Sequence, residues 1–327
     1  MTPTATGSTA TDAGLPADLV KRFAAALANL RPGGERIGLA VSGGPDSMAM
    51  LLLARAAIPG EFAVASVDHG LRPEAADECA LVSRQCAALG VDCVVLTVAV
   101  HGRNLQAAAR RARYAALGSW VEQRGLAALA TAHHADDQAE TLLMRLNRGS
   151  GVAGLAGVRE TGRIEGLDTP LIRPLLRFRR AELARVIEAA GIPVVQDPSN
   201  RDDRFDRVRL RKALAKADWL DPLALTESAS HLAEADEALE TFTDMASALH
   251  VTREEGAIRF HPLLPRAIQL RMVERIIAEL GGAPRGGDVA RLLGRLQAGE
   301  GGNLGGVLAT VEGDRWVFRP EPPRRTG

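Results

Sequence analysis

Lysine is nearly missing from this chain. Of its 40 basic residues three are lysine, Lys21, Lys212 and Lys216, so 37 are arginine. Arginine is a planar, permanently charged ligand for phosphate and carboxylate, although genome composition produces the same bias. Aromatic residues are 3% of the chain and Tyr114 is its one tyrosine. The core must therefore be built from Leu, Val and Ala, and base stacking is not expected as a mode of recognition. Cysteine is sparse and odd in number, at Cys79, Cys86 and Cys93. That excludes a disulfide framework and points to a reducing compartment, the cytoplasm. With no C-x-x-C pair, zinc and iron–sulfur sites are not expected; Cys79 and Cys86 share one helix face as core residues, and Cys93 falls in the following strand. No apolar run reaches the roughly 18 residues of a membrane span. Residues 1–14 lack the apolar segment of a signal peptide, and 1–17 read as a disordered leader. Formal charge is balanced, 40 acidic against 40 basic, so bulk charge argues neither for nor against nucleic acid.

What is present is a hydrophobic fraction of 46% over 327 residues, enough for two domains. The chain is organised around Ile37 to Met48. Ile37 to Val41 is a short apolar run that reads as a buried strand, Ser42-Gly43-Gly44-Pro45 as a tight turn, and the segment from Ser47 onward as a helix capped by Asp46 or Ser47. Further strands are expected at 62–67, 91–98, 126–132 and 169–176. Helices are expected at 18–30, 74–89, 104–124, 136–146 and 179–190, with a basic helix from about 203 to 216. This alternation predicts an α/β fold with a doubly wound parallel sheet. A boundary is expected at Asp218 to Pro222, dividing a catalytic domain at 18–217 from a small accessory domain at 218–327. That second domain reads as mostly helical, with a long acidic helix at 223–249, a short strand at Arg259 to Leu264, and a hairpin across Gly313-Asp314.

A strand, a glycine turn and a helix N-terminus form an anion site, since bare N–H groups and the positive end of the helix converge there. Gly43 and Gly44 let a ligand approach the backbone closely, and the Ser42 and Ser47 hydroxyls can donate to phosphate. Asp46 beside a phosphate is repulsive unless a metal intervenes, so it reads as a magnesium ligand. The Walker lysine is absent. A second cluster, Thr131 to Thr141, carries His133, His134, Asp136, Asp137, Gln138 and Glu140. Asp137 and Glu140 are three apart and share a helix face; such a cluster can hold magnesium or a cationic amine. Asp68 and His69 end the second strand, where nucleotide folds commonly meet a ribose or base. Arg110 and Arg113 share a face beside Tyr114. Residues 148–157 hold four glycines in ten positions, which reads as a loop, through Arg148-Gly149-Ser150-Gly151, that orders on substrate. Residues 201–216 and 170–185 each carry net charge +4, islands suited to phosphate backbones.

Together these stretches resemble one family, the tRNA(Ile)-lysidine synthases of the PP-loop ATP pyrophosphatases. The resemblance rests on SGGPDS at 42–47, VDHGLR at 67–72, ARRARY at 109–114, TAHHADDQAETLLMRLNRGSGVAGLAG at 131–157, RPLL at 173–176 and DPSN at 197–200. It covers about residues 35–216. Where the family usually shows Arg-Asn, this chain has Arg207-Val208. The resemblance implies that ATP adenylates the first anticodon cytidine of tRNA(Ile) with the CAU anticodon, and that free L-lysine displaces AMP to give lysidine. The 42–47 loop would hold pyrophosphate, with Mg2+ at Asp46 and Asp136. Asp137 and Glu140 would bind the lysine ammonium or accept its proton, near His133. Arg110, Arg113, Arg148, Arg173, Asn200, Arg207 and Arg211 would meet ATP or tRNA. A tRNA thiolase of the same superfamily and a non-catalytic nucleotide sensor are the alternatives; a homodimer, the commonest symmetric assembly, is compatible with the lysidine synthase reading.

Overall fold

In the computed structural model, residues 14–31, 33–70, 74–100, 105–196, 204, 206–284 and 286–321 are described. They divide between two compact units, Met1–Ala233 and Glu234–Gly327. The division falls within a long helix, downstream of the boundary expected at Asp218 to Pro222.

The first unit opens with α1 (Ala17–Leu30), β1 (Ile37–Ala40), α2 (Pro45–Ala57), β2 (Phe62–Asp68), α3 (Glu74–Leu89), β3 (Cys93–Thr97) and α4 (Leu105–Gln123). It continues with β4 (Leu129–Ala130), α5 (Ala135–Leu146), α6 (Val152–Leu155), β5 (Thr161–Arg163), β6 (Pro170–Ile172), α7 (Arg180–Ala190), α8 (Asp206–Leu214) and the start of α9 (Pro222–His250). Among the described residues the sheet order is β3-β2-β1-β4-β6-β5. All neighbours run parallel except the β5–β6 pair. In register, Leu39 faces Val64 on one side and Ala130 on the other.

Side chains alternate across a strand, and both faces are covered. Ile37, Leu39 and Val64 pack with Phe23, Leu51, Leu52 and Leu183 from α1, α2 and α7. Ala63 and Ala65 pack on the opposite side with Leu117, Trp120 and Val121 of α4. Gly38 is required there: a Cβ at this position would lie 2.5 Å from the Trp120 ring. The sheet is thus doubly wound, and its order reverses between β1 and β4. That reversal opens a crevice at the strand carboxyl ends.

Several local expectations shift. Leu15 is buried in the core, so the stretch read as leader already contributes a core residue; residues 1–13 lie outside the described residues. The fourth strand is two residues long, although its ladder continues where the Thr131 N–H donates to the Ile172 carbonyl at 3.0 Å. β5 is fully exposed and reads Thr-Gly-Arg, so it carries no apolar alternation that would mark it as a strand. The glycine-rich stretch contains the helical turn α6. The cap of α2 is Gly44, with Pro45 at the first helical position and no side-chain cap bond; Asp46 and Ser47 lie within the first turn instead. The turn read at 197–200 lies outside the described residues.

The second unit holds the remainder of α9, α10 (Arg266–Glu279) and α11 (Gly286–Gln297). Its strands are β7 (Val251–Glu254), β8 (Ala257–Phe260), β9 (Gly302–Leu304), β10 (Val307–Glu312) and β11 (Arg315–Pro320). They form an antiparallel sheet of order β7-β8-β11-β10-β9. This sheet is larger than the hairpin and single strand expected. Phe260, Trp316 and Phe318 pack with Met272, Ile276 and Leu293 to make its core. Among the described residues no helix is long and apolar enough to cross a membrane.

Candidate active site

Two loops meet at the crevice. One follows β1 and carries Ser42 to Ser47; the other follows β4 and carries His133 to Asp137. In the first, Gly43 takes φ +82°, a left-handed backbone that disfavours any residue with a Cβ. Its carbonyl accepts from the Val195 N–H at 2.8 Å, which ties the segment after α7 to the loop. The Ser47 hydroxyl donates to the Gly44 carbonyl at 3.0 Å and accepts from the Ser42 N–H at 3.2 Å. The turn is therefore held from within before any anion arrives.

In the second loop His134 is the N-cap of α5. Its Nδ1 accepts from the Asp137 N–H at 3.4 Å, and the Asp137 carboxylate accepts from the His134 N–H at 3.3 Å, a reciprocal capping pair. The His134 side chain is fully buried. Its Nε2 lies 3.4 Å from Asp46 Oδ2 and 3.5 Å from Asp137 Oδ2, yet forms no hydrogen bond with either. Burial opposes ionisation of Asp46, but the His134 side chain, with Arg180 and Arg211 further out, holds its carboxyl below the ordinary value. An ionised, one-third-exposed carboxylate beside a phosphate loop suits Mg2+, which typically takes one or two carboxylates and shares substrate oxygens. Among the described residues no three His, Cys, Asp or Glu side chains form a metal cage of their own.

Asp136 fits that role less well. Its Oδ2 accepts from the Arg180 N–H at 2.7 Å and stands 3.6 Å from Arg179 Nε, so it is committed to the N-terminus of α7. Glu140 also differs from expectation. It is buried, and its two oxygens receive Arg211 Nε at 2.8 Å, Arg211 Nη2 at 3.2 Å, Arg207 Nε at 2.7 Å and Arg180 Nη2 at 3.2 Å. Burial alone would raise its pKa; the bonds from Arg211 and Arg207 outweigh that and hold it at about 2. Arg207 also reaches Asp137 Oδ1 at 3.2 Å. The acid that reads as an amine receptor is, in this structure, the anchor of α8. Val208 is buried, so the apolar residue following Arg207 packs inward.

His133 accepts from or donates to Thr131 Oγ1 at 3.0 Å. Burial, followed by Arg173, Arg110, Arg207 and Arg113, pushes its pKa down to about 3, so the ring is neutral. Arg110 and Arg113 both stack on Tyr114, at 4.9 and 5.3 Å from the ring centre. Arg173 is pushed below its usual value by burial and by Arg110. These cations form an anion-attracting wall around His133. Asp68 ends β2, where its carboxylate accepts from the Gly70 N–H at 2.9 Å; His69 follows it, one strand over from the loop.

Arg148, Gly149, Ser150 and Gly151 follow the far end of α5, about 16 Å along the helix from Asp137 at 1.5 Å per residue. The loop returns to the centre. Buried Gln138 accepts from the Val158 N–H at 2.7 Å, and Arg145 donates to the Gly154 carbonyl at 2.6 Å. Its closing half is thus pinned, and its opening residues are tied to the end of α5, where the Gly149 and Ser150 N–H groups donate to the Leu146 and Arg145 carbonyls at 3.0 Å. Asn200 lies outside the described residues. Sequence reasoning placed His134 in the 131–141 cluster without a role of its own, and gave Arg145 and Arg180 none in the site. For His134 the signal was its position one residue before a helix with an acid three residues on, the spacing of a capping box. Arg180 had no local signal. Cys79 and Cys86 are buried on α3, and Cys93 lies in β3 at the sheet edge.

Comparisons with known proteins come to the same place. The family described as PP-loop domain matches residues 16–218. The tRNA(Ile)-lysidine synthase of Novosphingobium aromaticivorans is 46% identical over 309 residues, covering 93% of this chain and 94% of that protein. The enzyme of the same name from Zymomonas mobilis subsp. mobilis is 40% identical, covering 89% and 90%. Among solved structures, the U34-tRNA thiolase NcsA from Methanococcus maripaludis superposes with a TM-score of 0.53 at 17% identity, covering 67% of this chain and 80% of that one. That likeness concerns the fold alone.

Proposed function

The chain belongs to the tRNA(Ile)-lysidine synthases of the PP-loop family, and from that premise we propose that it ligates free L-lysine to C2 of the first anticodon cytidine of tRNA(Ile) with the CAU anticodon, consuming ATP to AMP and pyrophosphate. The observation that carries the proposal is the meeting of the two loops, with Asp46 Oδ2 3.4 Å from His134 Nε2. It sets an anion-binding turn against an acid-and-arginine cluster, as a reaction joining a triphosphate, an amine and an RNA requires.

The Ser42–Ser47 turn receives the β- and γ-phosphates on bare N–H groups, the hydroxyls and the positive end of α2. Asp46 would hold Mg2+, which supplies charge neutralisation to the departing pyrophosphate. Asp136 serves by fixing the start of α7. Arg110, Arg113 and Arg173 form the wall that meets phosphate or the developing charge on the base. Asp68 and His69 would meet the nucleoside, and Arg148 to Gly151 the RNA backbone.

Glu140 and Asp137 meet the lysine ammonium by exchange of cations. Arg207 bridges both acids and its side chain is 44% exposed, so it can yield its place to an incoming ammonium. No buried carboxylate is then left without a positive partner, which would be costly. Arg211 and Arg180 stay as the fixed support. His133, neutral among arginines, takes the proton from the attacking amine once phosphates offset the surrounding charge.

Incubation with ATP, Mg2+, labelled lysine and a tRNA pool tests this reading. Label entering CAU-anticodon tRNA(Ile) with matching AMP release is expected. AMP release without lysine incorporation would move the chain to another nucleophile, and absence of turnover would leave a nucleotide sensor. Asp137→Ala is expected to raise the lysine KM at least ~10-fold, in line with loss of a charge-assisted contact; an unchanged lysine KM sinks the amine-binding role.

A further inference from the structure

His134 belongs to none of the binding groups named so far, yet its ring stands among three of their acids. Its Nδ1 is 3.7 Å from Asp136 Oδ2, and its Nε2 is 3.4 and 3.5 Å from Asp46 and Asp137. Nδ1 accepts from the Asp137 N–H, so the ring hydrogen resides on Nε2, and which nitrogen carries it is set by the cap. That N–H is buried without a hydrogen-bond partner. A buried donor left unmatched is destabilising, and this one is aimed into the gap between the loop after β1 and the helix that follows β4. Cap formation requires only the acceptor face of the ring. Asn or Ser would cap as well with fewer buried atoms. The far nitrogen therefore needs a second explanation.

We propose that His134 is a positioning residue for Asp46: when nucleotide closes the 3.4 Å gap to hydrogen-bond geometry, its Nε2–H holds one carboxylate oxygen back against α5, so that the other is presented to the cation carried by the triphosphate. The chemistry is that of an outer partner orienting a metal-holding group. The same ring links the cap of α5 to the phosphate turn, so the start of the amine-binding helix and the grip on the nucleotide are set by one side chain. This inference rests on the nucleotide half of the proposed function and is independent of lysine and of tRNA.

Three variants separate the two faces of the ring. His134→Asn keeps a cap acceptor but is too short to reach Asp46. His134→Gln can extend an amide N–H toward Asp46. His134→Ala removes both. Binding of a non-hydrolysable ATP analogue is followed by calorimetry as Mg2+ is varied, with no tRNA or lysine present, alongside thermal melting. For His134→Asn we expect melting close to the parent chain and a Mg2+ half-saturation about 10–100-fold weaker, the range found when outer partners of a metal site are lost. His134→Gln is expected to recover most of that loss. In turnover, the kcat of His134→Asn falls while the tRNA KM is unchanged. Parent-like Mg2+ dependence in a well-folded His134→Asn overturns the proposal. So does a set in which the loss of Mg2+ affinity tracks the melting temperature across all three variants, since the ring would then act only as a cap. A chain that fails to make lysidine but shows the Mg2+ shift keeps this inference and loses the substrate reading.

Discussion

Glu140 and Glu312 are both glutamates held by more than one arginine, one in each unit, and they teach opposite lessons. Glu140 has 2% of its side chain exposed and takes four nitrogens from Arg180, Arg207 and Arg211. Glu312 is 40% exposed and takes Arg259 and Arg319 at 3.0 Å each. In the first unit, charge is gathered at the carboxyl ends of a parallel sheet, where water is scarce and each ion depends on its partners. In the second, Arg271 and Asp236 form a buried pair, but the arginines on Glu312, like Arg253 on Glu279, lie on the face of an antiparallel sheet and its helices, where solvent does much of the work. Similar chemistry is thus a site in one unit and a surface in the other.

The largest expected difference follows from removing one charge. Glu140→Gln leaves Arg180, Arg207 and Arg211 facing one another, and a broken buried pair typically destabilises by about 3–5 kcal/mol. Urea denaturation should register that loss, with ligation reduced more than ~100-fold as α8 loses its anchor. A loss no larger than that of Glu312→Gln would place Glu140 in the same class as Glu312 and dissolve the contrast.

Acid sharpens the comparison at intermediate size. The folded pKa of Glu140 lies below its unfolded value, so its stabilisation is complete above about pH 4.5 and is lost as pH falls through about 2. The difference between those two values corresponds to about 3 kcal/mol. His133 acts in the same direction: it is depressed from 6.5 to about 3, so the unfolded chain takes its proton first and stability declines as pH falls through that window. Glu279 and Glu312 are also held below the ordinary value, by Arg253 and by Arg319 and Arg259, but their exposure screens the effect. Hydrogen exchange between pH 6.5 and 3 should therefore deprotect residues 129–146 before 307–320; simultaneous loss would show that the acid response is global.

The smallest expected effect is at Glu312→Gln. Exposed pairs are screened by solvent and contribute little, so its denaturation midpoint should stay near that of the parent chain and move closer still in high salt.

Most of the first unit was legible because its signals are local. The apolar run at Ile37, the glycines at 43 and 44 and the helix after them lie within a dozen positions, and each reports its own backbone preference. β5 was missed because an exposed Thr-Gly-Arg strand buries no face. The antiparallel sheet of the second unit was under-read for a related reason: β7 is largely exposed and β9 spans only Gly302 to Leu304. In the site, the acids and arginines were named from sequence, but the pairing among them was not.

By itself, then, the sequence determined the strand–turn–helix frame, the family, and which side chains carry charge into the crevice, since each rests on spacing within a few turns of chain. Tertiary structure alone decided what those charges do to one another. Arg207 and Arg211 reach Glu140 across 67 and 71 residues, and His134 meets Asp46 only because β1 and β4 are neighbours in the sheet. Such contacts depend on how strands are ordered, and burial then fixes their strength by removing the water that would otherwise have screened them.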